Sequence, residues 1–194
     1  MTTKRTLSSL GKPKTIMAID ANSTSAAFSI FTNGKLVQNG KIVWVGATIF
    51  DKTQDAGKKC QAFFKAFQVD AVVIERVISV NNTRTAISLA LVQGGIISAA
   101  GLAGIHKCYS IPPLTWQSAI GNPALNAAEK LVIKKANPKK SVSYLRTQWR
   151  AFRKQRTLNL VNAKYGLTLK DDDIGDAVGL GWFAVDNWLK VLNA

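Results

Sequence analysis

The dipeptide Asn33-Gly34, set between the apolar runs "SAAFSIF" and "KLVQNGKIVWV", constrains the fold more than any other feature of this chain. Asn-Gly supplies the positive-φ positions of a tight hairpin turn, so the two runs predict antiparallel strands. "KTIMAID" precedes them and ends in Asp20, adding a third adjacent antiparallel strand. Next, "TQDAGKKCQAFFKAF" places Ala56, Cys60, Phe63, Phe64 and Phe67 at helical spacing, and "DAVVIERV" is a buried strand led by Asp70 and closed by Glu75. A helix then starts near the cap signal Asn81 to Thr83, and "HKCYSI" is a fifth strand stopped by Pro112-Pro113. The chain closes on "DDDIGDAVGLGWFAVDNWLKVL", a helix whose Ile174, Val178, Gly181, Val185, Trp188 and Leu192 form one apolar stripe. Hairpin strands first, alternating helix and strand next, and helices last predict an α/β fold in which helices pack on a mixed sheet.

The chain has 194 residues, which suits one domain over residues 15–194 that buries its core without disulfides or a structural metal. Residues 1–14 are polar and basic and read as a flexible N-terminus. Lys and Arg outnumber Asp and Glu by 26 to 11, a formal net charge of +15, so the surface as a whole attracts polyanions. Nucleic acid is the leading partner, and an anionic membrane surface is its competitor. His106 is the only histidine, which argues against a His/Cys zinc site and against nucleases that need several histidines. Cys60 and Cys108 read as two buried thiols in a reducing compartment, hence the cytoplasm, or the host-cell cytoplasm for a viral protein. "TIMAI" is too short for a signal peptide. The uncharged stretch from Ala86 to Ile105 is long enough to span a bilayer. Its Gly, Ala and Ser content, Gln93 and the strands on either side favour a helix buried on most faces, with no membrane partner.

Acids are scarce, yet four fall within the six positions Asp171 to Asp176. Asp51, Asp55, Asp70, Glu129 and Asp186 occupy turns, helix starts or exposed faces, where charge costs little. Asp20 and Glu75 instead end apolar strands, where a carboxylate is poorly solvated unless a cation meets it. In the acid run, one or two carboxylates at a helix start are accounted for by capping and the helix dipole, each worth about 0.3–1 kcal/mol. More than two repel one another unless a cation is present. Asp173 and Asp176 share a helix face, as do Asp172 and Asp176, and spacing does not choose between them. If Asp20, Glu75 and this pair converge, they form an all-oxygen site for magnesium or manganese. Two such ions about 4 Å apart suit an in-line phosphoryl displacement. Gly175 and Ala177 would leave room for metals and a phosphate to approach.

Several stretches resemble the RuvC-type Holliday junction resolvases of the RNase H-like superfamily. "AIDANSTSAAFSIF" resembles the family's opening strand, with Asn22 and Ala26 as departures, and "VVIERVISVNN" resembles the strand that ends in Glu and leads to an Asn. "LALVQGGIISAAGLAGIHKCYSIPP", "FRKQRTLNLV" and "DIGDAVGLGWFA" are similar, in the same order, to its Gly-Gln helix, its basic helix and its closing acidic helix. The resemblance runs from about residue 15 to 190 and implies an RNase H-like mixed five-stranded sheet with helices on both faces. It also implies a homodimeric, metal-dependent endonuclease that nicks four-way DNA junctions with two Mg²⁺ (or Mn²⁺) ions per site. On it, Asp20, Glu75, Asp173 and Asp176 match the metal-binding acids, with Asp173 favoured over Asp172, and Lys154 matches a basic residue near the scissile phosphate.

Candidate DNA contacts follow from the run Lys130 to Lys164, which holds eleven Lys or Arg and no acid. They are Lys134, Lys135, Lys139 and Lys140 in its first part, and Arg146, Arg150, Arg153, Lys154 and Arg156 in the basic helix. Asn81, Asn82 and Ile78 complete the set. Ile78 stands where the family often has an aromatic wedge, and Gln117 where it has a Lys. Both departures widen the expected substrate to branched DNA such as flaps and Y-forks. The uncharged helix at 86–105 offers a self-complementary face for dimerisation. Two other readings compete: a non-catalytic module for branched or single-stranded DNA, using Tyr144 or Trp149 for stacking, and an actin-like ATPase, suggested by "DANSTS" but lacking the second half and the Gly-rich adenosine site.

Overall fold

The computed structural model describes residues 11–77 and 82–194. Ile78, Asn81 and most of the predicted flexible N-terminus lie outside the described residues. Among the described residues, five strands and seven helices follow in the order β1 (Thr15–Ala21), β2 (Ser25–Thr32), β3 (Lys35–Val43), α1 (Ile49–Ala66), β4 (Ala71–Glu75), α2 (Thr83–Leu102), β5 (Lys107–Ile111), α3 (Pro113–Ala119), α4 (Ala127–Ala136), α5 (Val142–Tyr165), α6 (Asp172–Asp186) and α7 (Trp188–Leu192). They form one mixed sheet in the order β3-β2-β1-β4-β5. β1, β2 and β3 pair antiparallel around the Asn33-Gly34 turn, where both residues have positive φ, and β4 and β5 add parallel to β1. The last segment of the predicted flexible tail is ordered: Pro13 is buried, and the Lys14 carbonyl accepts the Asn33 N–H at 2.8 Å. The hairpin that starts the sheet pulls Lys14 into its first rung.

Side chains alternate across a strand, and here each face has its own core. Met17, Ile19, Val72 and Ile74 face α1 and α2, whereas Ile16, Ala18, Phe31 and Val73 face Trp116 of α3, Val161 of α5 and most of α6. The same parity sends Asp20 and Glu75, two positions past Ala18 and Val73, to the α6 side.

Further expectations need correction. The closing helix is not a single amphipathic stripe: it breaks at Asn187, and α6 is buried on nearly every side from Gly175 to Val185. A Cβ at Gly175 would lie 3.1 Å from Leu158 of α5, one at Gly179 2.7 Å from Trp116 of α3, and one at Gly181 2.4 Å from Phe31 of β2. Three elements therefore close on this helix through its glycines, and Gly175 makes room for α5, not for a phosphate. Ala177 likewise faces inward, its carbonyl accepting the Ser29 hydroxyl at 2.7 Å. Conversely, α2 is not buried on most faces. Only 22% of its apolar window is buried. Val92, Ile96, Ala99 and Ala100 pack inward, and Ile87, Ile97 and Leu102 are exposed. Its length and hydropathy would let it cross a membrane, but it lies along α1, with Gly95 against Thr53. Cys60 is buried, Cys108 only partly, and both are free thiols.

Candidate active site

β1 and β4 run side by side and parallel, with Ile19 opposite Ile74, so Asp20 and Glu75 emerge next to each other at the carboxyl ends of two central strands. Open α/β sheets place their ligands at such strand ends. The N-terminal end of α6 brings Asp173 and Asp176 to the same cleft. These four acids line a cleft of about 690 Å³ whose other wall carries Trp149, Arg150, Arg153 and Lys154 of α5.

Burial, with Asp173 close by, pushes the Asp20 carboxyl up to about 6 against the pull of Lys154 and Arg150. Burial and the neighbouring Asp20 and Asp176 push Glu75 up to about 8, while the Trp116 hydrogen bond pulls the other way. Asp176, raised by burial and then by Asp20, reaches about 7. Its Oδ1 is buried with no hydrogen-bond partner among the described residues. An unmet buried acceptor on a charged group costs upwards of about 1–3 kcal/mol. These three carboxyls line one cleft and raise one another's protonation. With an orphaned oxygen on Asp176, they offer an oxygen-only donor set of the chemistry a hard divalent cation takes, more widely spaced than the close group Asp171, Asp172 and Asp173.

Asp173 is different. It lies below the usual carboxylate range in spite of burial, because Lys154 holds its Oδ1 at 2.9 Å and Lys41 its Oδ2 at 3.0 Å. Lys154 also pairs with Asp172 at 2.8 Å, and Lys41 with Asp171 at 2.7 Å. Those acid contacts raise Lys154 above its ordinary range against the effect of burial. Carboxylate oxygens of Asp171, Asp172 and Asp173 lie within 4.8 Å of one another, and the two ammoniums neutralise most of that charge. Asp171 is the N-cap of α6, accepting the N–H groups of Asp173 and Ile174. Asp172 does not line the cleft and Asp173 does.

The remaining acids have structural work. Asp51 and Glu129 complete capping boxes on α1 and α4, Asp55 pairs with Lys59 at 2.7 Å, Asp70 accepts the Thr15 N–H, and Asp186 accepts the Trp182 indole N–H.

The basic residues divide. Arg150, Arg153 and Lys154 face the acids, and Arg146, one turn before Arg150, is exposed on the same helix face. Lys134, Lys135, Lys139 and Lys140 are exposed on and just after α4, outside the cleft. Arg156 turns away: it bonds Glu129 at 2.7 Å, Asn122 at 2.5 Å and the Pro123 carbonyl at 2.5 Å, pinning the start of α4 to α5. Asn82 is the N-cap of α2, its side-chain oxygen taken by the N–H groups of Arg84 and Thr85. Trp116 and Lys41 are the site residues that motif reasoning passed over, whereas Trp149, expected as a stacking residue, and Gln93 of the Gly-Gln helix both line the cleft. Gln93 donates to the Glu75 carbonyl at 2.8 Å. Lys41 reads in sequence as an ordinary exposed strand lysine, and only the sheet register, which places it beside Ala27 and Ala27 beside Asp20, puts it on the acids' face.

No protein-family model and no curated protein matches the chain. Solved structures do. *Thermus thermophilus* RuvC in complex with a Holliday junction substrate superposes with a TM-score of 0.67 at 14% identity, over 91% of this chain and 96% of that one. The chain has the RuvC fold. A second *T. thermophilus* RuvC structure gives 0.64 at 14% identity over 91% and 97% of the two chains. The yeast mitochondrial Holliday junction resolvase Ydc2 gives 0.50 at 13% identity over 90% and 80%. At these identities the RuvC likeness is one of architecture: the five-stranded mixed sheet with helices on both faces is shared.

Proposed function

We propose that the chain is a metal-dependent endonuclease that nicks four-way DNA junctions and other branched DNA. One observation carries the reading: three nearly buried carboxyls, Asp20, Glu75 and Asp176, lie at the floor of a cleft whose wall is Arg150, Arg153 and Lys154. Nothing else in this strongly basic chain gives that arrangement a use as economical as cutting a polyanion. The RuvC fold and the junction-bound *T. thermophilus* structure support the choice of substrate.

Asp20, Glu75 and Asp176, with Asp173 at the rim, would hold two Mg²⁺ or Mn²⁺ ions. Bound there, such ions activate a water and stabilise the leaving oxygen of an in-line displacement at phosphorus. The protein's own groups do the rest. Arg150 offers a forked donor to phosphate oxygens beside the bond to be cut, and Arg153, whose guanidinium Gln117 and the Asn122 carbonyl hold in place, adds a fixed positive charge. Lys154 is a point charge within reach of the scissile phosphate, and it must leave Asp172 or Asp173 to use that charge. Arg146, Arg150 and Lys154 recur every four residues along α5, so one helix face tracks the DNA backbone. The lysines at the end of α4 extend that track beyond the cleft. A second copy of the chain would dock on the apolar side of α2, where Ile87, Ile97 and Leu102 are exposed, and bring a second cleft to a two-fold symmetric junction.

The test is a labelled four-way junction, a Y-fork and a linear duplex of the same sequence, each incubated with Mg²⁺ and with chelator. Nicking of the branched substrates only in Mg²⁺ is the expected result. Equal cutting of the linear duplex would remove branch selectivity, and a junction bound but never cut with either Mg²⁺ or Mn²⁺ would leave a binding module in place of an enzyme.

A further inference from the structure

Trp116 is fully buried, yet its indole N–H does not stay within the apolar core. It donates to Glu75 Oε2 at 2.8 Å. Pro112 and Pro113 end β5 and open α3, which sets Trp116 one turn into a helix that starts beside the end of β4. On its other side the indole lies against α6: a Cβ at Gly179 would meet Trp116 Cζ3 at 2.7 Å and Ile120 Cδ1 at 3.0 Å. Gly179 is three residues after Asp176, on the same face of the helix. One rigid ring thus touches the carboxylate of β4 at one end and the backbone beneath the carboxylate of α6 at the other.

Among the three floor acids Glu75 has the longest and most flexible side chain, so it has most to gain from a fixed partner. A buried donor that fills one lone-pair direction of Oε2 holds the carboxylate plane and leaves Oε1 free to turn toward Asp20 and Asp176. Partners of this kind, one bond removed from a cation, tune its affinity by about 10–100-fold when they are changed.

We propose that Trp116 is a positioning residue for the metal site, setting both the orientation of Glu75 and its separation from Asp176. The proposal rests on the nuclease reading above, since it assumes that Glu75 and Asp176 hold a cation. It goes further in assigning a role to an apolar residue outside the acidic and basic motifs, and to the glycine that receives it.

The experiment is Mn²⁺ binding to the DNA-free protein by isothermal titration, wild type against Trp116→Phe. Phenylalanine keeps most of the ring and removes the donor. The expected result is a roughly tenfold or greater loss of Mn²⁺ affinity, with far-UV circular dichroism and junction affinity in chelator both unchanged. Mn²⁺ affinity equal to wild type overturns the proposal. If wild type itself binds no Mn²⁺, the nuclease reading falls and this proposal falls with it, whereas normal wild-type binding with an unaffected variant removes the proposal alone. Should Trp116→Phe fail to fold, ¹⁵N-indole spectra of two stable proteins decide. One of the five indole signals should move on Glu75→Gln substitution, and the same signal should move when Mg²⁺ is added to wild type. An indole spectrum indifferent to Glu75→Gln, or one whose displaced signal ignores Mg²⁺, overturns the assignment.

Discussion

Asp20, Glu75 and Asp176 keep their protons at pH values where free carboxyls have lost them, and this has a definite sign for stability. A carboxyl raised in the folded state stabilises the fold below its unfolded value, near 4, and that contribution disappears as pH rises through the folded value. With folded values of about 6, 8 and 7 for Asp20, Glu75 and Asp176, the metal-free protein should lose stability between pH 5 and pH 8. A bound divalent cation cancels the repulsion, so Mg²⁺ should raise the thermal midpoint by roughly 5 °C more at pH 8 than at pH 5.5. Thermal melts in Mg²⁺ and in chelator at the two pH values measure this, and equal shifts would contradict it. Asp20→Asn removes one proposed ligand and one repelling charge. Nicking should fall by at least about a hundredfold, while junction binding in chelator should be retained or strengthened, as gel shifts on the same junction would report. Unchanged cleavage would remove Asp20 from the chemistry.

At the scale of the element, α6 and α2 are the helices whose surroundings sequence periodicity misjudged, and in opposite directions. α6 is enclosed by α5, α3 and β2 through Gly175, Gly179 and Gly181, so its glycines report close approach and not a weak helix. Gly179→Ala should cost about 1–3 kcal/mol by overpacking against Trp116, readable in urea denaturation, and Mn²⁺ affinity should fall with it. α2 carries apolar side chains on its solvent side. If a second copy covers them, Ile97→Glu should turn a dimer into a monomer in sedimentation at micromolar concentration and slow paired nicking of the junction without removing Mn²⁺ binding. A monomeric wild type would refute the docking.

For the whole molecule, the separation of an acidic floor from a basic exterior sets how binding responds to salt. With six or more phosphates neutralised along α5 and α4, junction affinity should drop by about 10³-fold between 50 and 200 mM salt, measurable by fluorescence anisotropy. Salt-independent affinity would argue against the backbone track. Much of this organisation was legible in the sequence. The Asn33-Gly34 turn and the apolar strands ending in Asp20 and Glu75 indicated the sheet, and the excess of acids at 171–176 indicated the helix that completes the site. What escaped were relations between distant segments. Arg156 looks like any other cation of the basic helix until Glu129 and Asn122 are folded against it. Lys41 gains meaning only from strand register, and Trp116 only from the packing of α3 on α6.

The burial of α6 contrasts with the exposure of α4, which has no buried residue. A substitution therefore meets different constraints in the two helices. A side chain added at Gly175, Gly179 or Gly181 of α6 collides with α5, α3 or β2, so the placement of Asp173 and Asp176 is close to frozen. Apart from Glu129, which holds Arg156, and Lys130, which lies over the Trp149 ring, substitutions in α4 touch little of the fold and leave a stretch of basic surface free to vary.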